Sequence, residues 1–193
     1  MEPVISHQKR RGAIEQFANP LQRALTAFAH GSLHVGVPEV GGSSTITFND
    51  HNPTLLRTDQ GAAAVAISIA LTIRLEDRDG PYVKTVGWSH AVFLDGADRL
   101  RYDWHPAVTP AIPFPHVHID DAKAHIPTGR VLVEDVLIAA LEFGALPIST
   151  DWKTRLTGAR SAFAETAEWG LGDVETAQGW LHRWDEHGRV AGK

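Results

Sequence analysis

Polar side chains that can move protons or bind ions gather in one stretch of the chain. Five of the 11 histidines lie within residues 90–125, and histidine both titrates near neutral pH and ligates metal ions. Residues 101–105 (RYDWH) fit a strand, in which alternate side chains share a side, so Arg101, Asp103 and His105 form one row. Asp103 can orient the imidazole of His105 by accepting its N–H, and Arg101 can bind an anion. An ordinary solvent-facing strand surface with an ion pair is the alternative.

A second strand carries two histidines that also share a side. His116 and His118 stand two residues apart, which is a natural spacing for a metal-binding pair on a strand. A third ligand would come from His105, Asp103 or His125, and such nitrogen and oxygen donors suit zinc or another divalent transition metal. The sequence alone does not assign a metal ion, and no other cofactor is expected.

The same histidines also suit a mechanism without metal. His116 and His118 can act as general base and general acid in phosphodiester cleavage, with Arg101 or Arg130 stabilising charge on the phosphate. RNA supplies its own nucleophile, the 2′-hydroxyl, so no serine or cysteine is needed. His125 and Arg130 lie in a polar segment before a predicted helix N-terminus, where anions are favoured, so both are candidate substrate-binding residues. A plain connecting loop is the alternative.

Composition excludes several classes of protein. The absence of cysteine rules out disulfide frameworks, thiolate metal sites and cysteine nucleophiles. A net charge of -5 gives no overall attraction to nucleic acid. The chain shows no apolar run of the roughly 20 residues that cross a bilayer and no signal-peptide pattern, so a cytoplasmic protein without a membrane partner is expected. Motifs typical of ATP-binding, dinucleotide-binding, zinc-protease and serine-hydrolase sites are missing.

Hydrophobic periodicity predicts one α+β domain over residues 1–193, built on a mostly antiparallel sheet. An N-terminal helix is predicted over residues 8–30, with a break or kink near Asn19 because Pro20 follows. The sheet occupies residues 33–119, with a meander of long strands joined by tight turns. The predicted strands are residues 33–37, 44–48, 65–76, 82–94, 99–104 and 114–119. C-terminal helices that pack on one face of the sheet fall within residues 132–187, namely 133–144, 152–169 and 174–187.

Tryptophans are frequent in the C-terminal third of the chain. Trp180 and Trp184 share a face of a predicted helix, and aromatic side chains of this kind are enriched at protein interfaces. A partner protein or a second copy of the chain is therefore one candidate occupant, and a nucleic-acid surface with interspersed arginines is another. The four tryptophans in this region are Trp152, Trp169, Trp180 and Trp184.

Residues 82–144 resemble the TumE-like toxins of prokaryotic toxin–antitoxin modules. The resemblance is carried by residues 101–103 (RYD), 114–118 (FPHVH), an Ile-Pro loop and the helix that begins around residues 134–137 (EDVL). It implies a small α+β domain, an antitoxin partner that is often a helix-turn-helix protein, and growth inhibition. The family's characteristic positions carried over to this chain are Arg101, Asp103, His116 and His118.

These observations predict a toxin-like cytoplasmic protein of prokaryotic type. Its predicted activity is that of a nuclease, with RNA or another phosphodiester as the substrate. Its expected partners are an antitoxin, RNA or a second copy of the chain. Two alternatives stay open: a non-catalytic interaction module with a tryptophan-bearing helical surface, and a metal-dependent hydrolase that uses His116 and His118. The candidate catalytic residues are Arg101, Asp103, His105, His116 and His118.

Overall fold

The computed structural model describes residues 5–77, 79–105, 115–120 and 125–166, and it confirms the α+β class. Three helices flank the strands in the described part of the chain: α1 (His7–Leu25), α2 (Val133–Glu142) and α3 (Trp152–Thr166). The strands follow in chain order as β1 (Leu33–Val35), β2 (Ser43–Phe48), β3 (Thr54–Leu55), β4 (Arg57–Thr58), β5 (Val65–Asp77), β6 (Pro81–Leu94), β7 (Ala97–Trp104), β8 (His116–Ile119), β9 (Ile126–Pro127) and β10 (Ala145–Leu146).

The main sheet is an antiparallel meander extended at both edges. Its order is β1-β2-β5-β6-β7-β8-β9, with β3 also paired to β5, while β10 and β4 form a separate two-stranded ribbon. The turn between β6 and β7 contains Asp95 and Gly96 with φ of 51° and 80°. Two consecutive positive φ angles are typical of the tight hairpin turn that the Asp-Gly pair predicts. The predicted hairpin at the start of the sheet is also present, as the β1–β2 pair.

Alternation along the strands separates a core face from a second face. The apolar positions of β5 are buried, and the helices α1 and α2 pack over this side of the sheet. Helix α1 contributes an apolar stripe made of Ile14, Phe17, Leu21 and Leu25. On β7 the core face carries Leu100, Tyr102 and Trp104, as predicted. Arg101 and Asp103 therefore project from the opposite face.

Helix α1 continues through Pro20, so the break predicted near Asn19 is absent. Proline inside a helix removes one backbone hydrogen bond and costs about 3 kcal/mol. Burial of Phe17, Leu21 and Leu25 on either side offsets that cost. The helix ends at Leu25 rather than near His30.

The other differences between the predicted and the observed elements concern short strands and the ends of elements. The strands β3, β4, β9 and β10 were not predicted, because segments of two residues have no measurable periodicity. The predicted strand 114–119 is observed from His116. The helix predicted over 174–187, the end of the one predicted over 152–169, and Trp169, Trp180 and Trp184 lie outside the described residues. Trp152 is described and packs edge-on against Phe28, with ring centroids 5.8 Å apart.

None of the helices among the described residues has the length and apolarity that crossing a bilayer requires.

Candidate metal centre

Three histidine side chains converge beside the edge of the sheet. His116 and His118 lie on β8, and His125 immediately precedes β9. One ring nitrogen from each residue lies within 4.8 Å of the other two. The ring centroids are 5.0 Å apart for His116 and His118, 4.7 Å for His116 and His125, and 4.6 Å for His118 and His125. All three ring pairs meet edge-on, at 73–79°. The rings therefore surround a common point.

Strand geometry explains why these rings meet. His116 and His118 share a face because side chains alternate along β8. Strand β9 runs antiparallel to β8 with Ile126 opposite Val117. One step further along this register, His125 falls beside His118. Pairing with β9 thus adds the third imidazole to the two that the sequence places together.

The spacing fits a transition metal after a small contraction. Zinc binds imidazole nitrogen at about 2.1 Å, which places tetrahedral nitrogen ligands about 3.4 Å apart. Nitrogens that all lie within 4.8 Å of one another stand no more than about 2.8 Å from a common centre, so each would move inward by up to about 0.7 Å to reach that bond length.

Desolvation and charge lower the pKa of one imidazole of the cluster, that of His125. His116 is buried, His118 is half-buried and His125 is exposed to solvent. The pKa of His125 lies below its ordinary value, first because of partial desolvation and then because of repulsion from His116 and His118, while Asp103 acts in the opposite direction. Neutral imidazole is the form that binds metal ions. The lowered pKa of His125 is therefore consistent with a role as a metal ligand.

Asp103 and His105 stand next to the histidine cluster. Asp103 lies directly opposite His116 in the β7–β8 register, which sets its carboxylate on the face that carries the cluster. Its Oδ2 atom is 3.9 Å from Nε2 of His118, and its Oδ1 atom is 3.9 Å from Nε2 of His105. The carboxylate thus lies between two imidazoles, one of which belongs to the cluster.

Arg101 shares the face of the cluster but is engaged by a carboxylate that the sequence analysis did not select. It lies opposite His118, and its guanidinium forms an ion pair with Asp98. A bulge explains this pairing, because Val92 pairs with Leu100 and Phe93 with Asp98, which leaves Arg99 as an extra residue in β7. Positions 98 and 101 then face the same side. No pattern in the sequence marks that bulge.

Arg130 packs against the hydrophobic core. Its guanidinium carbon is 4.2 Å from the ring centroid of Phe163 and 6.0 Å from that of Trp88, both of which belong to the core. Burial lowers the pKa of Arg130 to about 10. Of the two candidate substrate-binding residues, the structure therefore brings His125 to the cluster and sets Arg130 against the core.

Another histidine of the same stretch belongs to the core. His90 is fully buried on β6, where it pairs with Tyr102 on one side and Ile69 on the other. Burial lowers its pKa to about 3, so this imidazole is neutral in the folded protein. It contributes to packing and not to the cluster.

No family model, curated protein or solved structure matches this chain. The resemblance of residues 82–144 to the TumE-like toxins therefore stays a prediction. Function is inferred from the arrangement of the histidines and their neighbours.

Proposed function

We propose that this protein is a metal-dependent hydrolase in which His116, His118 and His125 hold one divalent transition metal ion. The convergence of these three imidazoles on one point carries the proposal. Zinc fits best, because three histidines form a known catalytic zinc site and the chain has no thiolate to offer.

The ligand number suits catalysis. A zinc ion with three protein ligands keeps a fourth position for water or substrate, acts there as a Lewis acid and lowers the pKa of bound water to about 7. His116 anchors the site, because its side chain is buried and fixed within the sheet. His125 forms the solvent-exposed side of the site, which leaves a route for a substrate to approach.

Two observations favour this mechanism over acid–base catalysis by a histidine pair alone. A pair needs one protonated and one neutral ring. Here a third ring lies within 5.0 Å of both, and desolvation together with repulsion from the other two rings lowers the pKa of the exposed member, His125. Three imidazoles crowded around one point are better suited to ligate a cation than to act as a separate acid and base.

Arg101 supports a phosphodiester, such as RNA, as the substrate. Its guanidinium projects from the same face as the cluster, is directly opposite His118 and is about half exposed. A phosphate group can replace the Asp98 carboxylate as its partner, because arginine binds either anion through the same pair of N–H groups. RNA is also the substrate that the histidine pair predicts from the sequence, and the antitoxin and a second copy of the chain stay predicted partners.

The test combines metal analysis with an activity assay. Purified protein is stripped with a chelator, reloaded with zinc, cobalt or manganese, and its metal content is measured. Each form is then assayed with a generic RNA and with bis(4-nitrophenyl) phosphate. The wild type is expected to bind one ion per chain and to hydrolyse a phosphodiester only when it is loaded. The variant His116→Gln/His118→Gln is expected to lose both properties while keeping its circular dichroism spectrum.

Three results would count against the proposal or one of its parts. Failure of the wild type to retain any of the three metals would remove the metal site itself. Equal cleavage by the stripped and the loaded wild type would instead support acid–base catalysis by the imidazoles alone. Binding without cleavage of either substrate would retain the site and reject the phosphodiester.

A further inference from the structure

A carboxylate faces one of the metal ligands from the neighbouring strand. Oδ2 of Asp103 is 3.9 Å from Nε2 of His118, and both side chains are largely shielded, with 18% and 19% of their surfaces exposed. Both project from the same face of the β7–β8 pair. The two groups are therefore held near each other by the backbone, and not by a chance surface contact.

This placement constrains which nitrogen of His118 can ligate. An imidazole ring has two nitrogens on different edges, and a metal-bound histidine usually donates its other N–H to a carboxylate or carbonyl. Because Nε2 is the nitrogen of His118 that lies near Asp103, ligation through Nδ1 would let the ring bind the ion and the carboxylate at the same time.

We infer that Asp103 is a positioning residue that accepts the Nε2–H of His118 and thereby presents Nδ1 of that ring to the metal. The inference rests on the proposed function, because it concerns a ligand of the same site. Asp103 makes no bond to the ion in this role. It selects the tautomer of His118 and limits rotation of the ring.

The proposed role requires two contacts of His118 to shorten. A charge-assisted N–H···O bond is about 2.7–2.9 Å long, so the Asp103–His118 pair must shorten by about 1 Å. The ligand nitrogens must move inward by up to about 0.7 Å to bind zinc. Both movements are therefore about 1 Å or less.

His105 supports the same arrangement from the other side. Its Nε2 atom is 3.9 Å from Oδ1 of Asp103, so each carboxylate oxygen faces a different imidazole. The sequence predicts that Asp103 orients His105. The structure adds a second neighbour of the same carboxylate, His118 on the adjacent strand.

The experiment compares three variants as full-length chains. Asp103→Ala removes the acceptor, Asp103→Asn keeps an amide oxygen in its place, and Asp120→Asn is the matched control. Asp120 is an exposed carboxylate just after β8 that pairs with Arg99. Zinc affinity is measured by competition with a chromophoric chelator, and the tautomer of His118 is read from two-bond ¹H–¹⁵N correlations of the zinc-loaded protein.

Loss of a carboxylate that orients a ligand typically weakens metal binding about 10–100-fold. Asp103→Ala is expected to show a loss of this size, Asp103→Asn a smaller one, and Asp120→Asn a change within about twofold. In the wild type and in Asp103→Asn, His118 is expected to carry its proton on Nε2 and to bind zinc through Nδ1. This readout would not respond to a merely structural role of Asp103.

Zinc bound through Nε2 of His118 in the wild type would overturn the inference, as would unchanged zinc affinity in Asp103→Ala. If Asp103→Ala fails to fold, Asp103→Asn and the wild-type spectrum still decide. These outcomes differ from failure of the proposed function, because in that case the wild type itself would bind no zinc.

Discussion

Replacing His125 with alanine tests the metal centre at its most informative residue. The side chain is exposed and lies outside the core, so its removal is expected to leave the metal-free protein as stable as the wild type, within about 0.5 kcal/mol. Only the third ligand is lost. His116→Ala is less suitable for this purpose, because truncation of a buried side chain would leave a cavity that glutamine at the same position would largely fill.

The expected loss of affinity follows from the number of ligands. Structural zinc sites with four ligands bind with about 10–16 kcal/mol, or about 3 kcal/mol for each ligand. Loss of one ligand is therefore expected to raise the zinc Kd about 100-fold. At free zinc equal to 100 times the wild-type Kd, the wild type gains about 2.7 kcal/mol of stability and His125→Ala about 0.4 kcal/mol.

Thermal unfolding with and without zinc measures this difference. For a chain of this length, 1 kcal/mol changes Tm by about 2–4 °C, so zinc is expected to raise Tm by about 5–11 °C in the wild type and by about 1–2 °C in His125→Ala. His34→Ala is the matched control, because His34 is an exposed histidine on β1 at the opposite edge of the sheet. It is expected to retain the full zinc response. Equal zinc-induced shifts in His125→Ala and the wild type would refute the three-histidine site.

Two further predictions concern stability. Burial raises the pKa of Glu134 from 4.5 to about 7, so the folded chain retains a proton that the unfolded chain releases, and stability is expected to fall as pH rises between these values. Urea titrations measure the free energy of unfolding, and in Glu134→Gln this free energy is expected to vary less with pH and to be higher than in the wild type by up to about 3 kcal/mol at pH 8. A variant whose stability depends on pH as the wild type's does would show that Glu134 is not the group responsible. Gly87→Ala is expected to destabilise the protein by about 1–3 kcal/mol, because a Cβ atom there would lie 2.9 Å from the carbonyl oxygen of Trp104 and 3.4 Å from Nδ1 of His105. Gly129→Ala is its control, since a Cβ atom at Gly129 meets nothing within 4 Å, and equal urea midpoints for the two variants would show that the strands tolerate the added methyl group.

The long strands and the two faces of the sheet could be predicted from the sequence, because alternation is a local property. Each residue on β5 or β7 takes its side from its position along one strand, whatever that strand pairs with. The side shared by Arg101 and Asp103, and the common face of His116 and His118, follow from this rule. Helices α2 and α3 were recognisable for a similar reason, since their periodicity is also contained within single segments.

The sequence by itself thus determined which side chains share a face, and the tertiary structure decided which of them meet. His125 completes the cluster only because a two-residue strand pairs with β8 in one particular register. Arg101 is paired with Asp98 only because a bulge shifts β7. Arg130 lies against Phe163, a residue of a helix far along the chain. Strand register, bulges and helix docking depend on hydrogen bonds and packing between distant segments, and no single segment encodes these interactions alone.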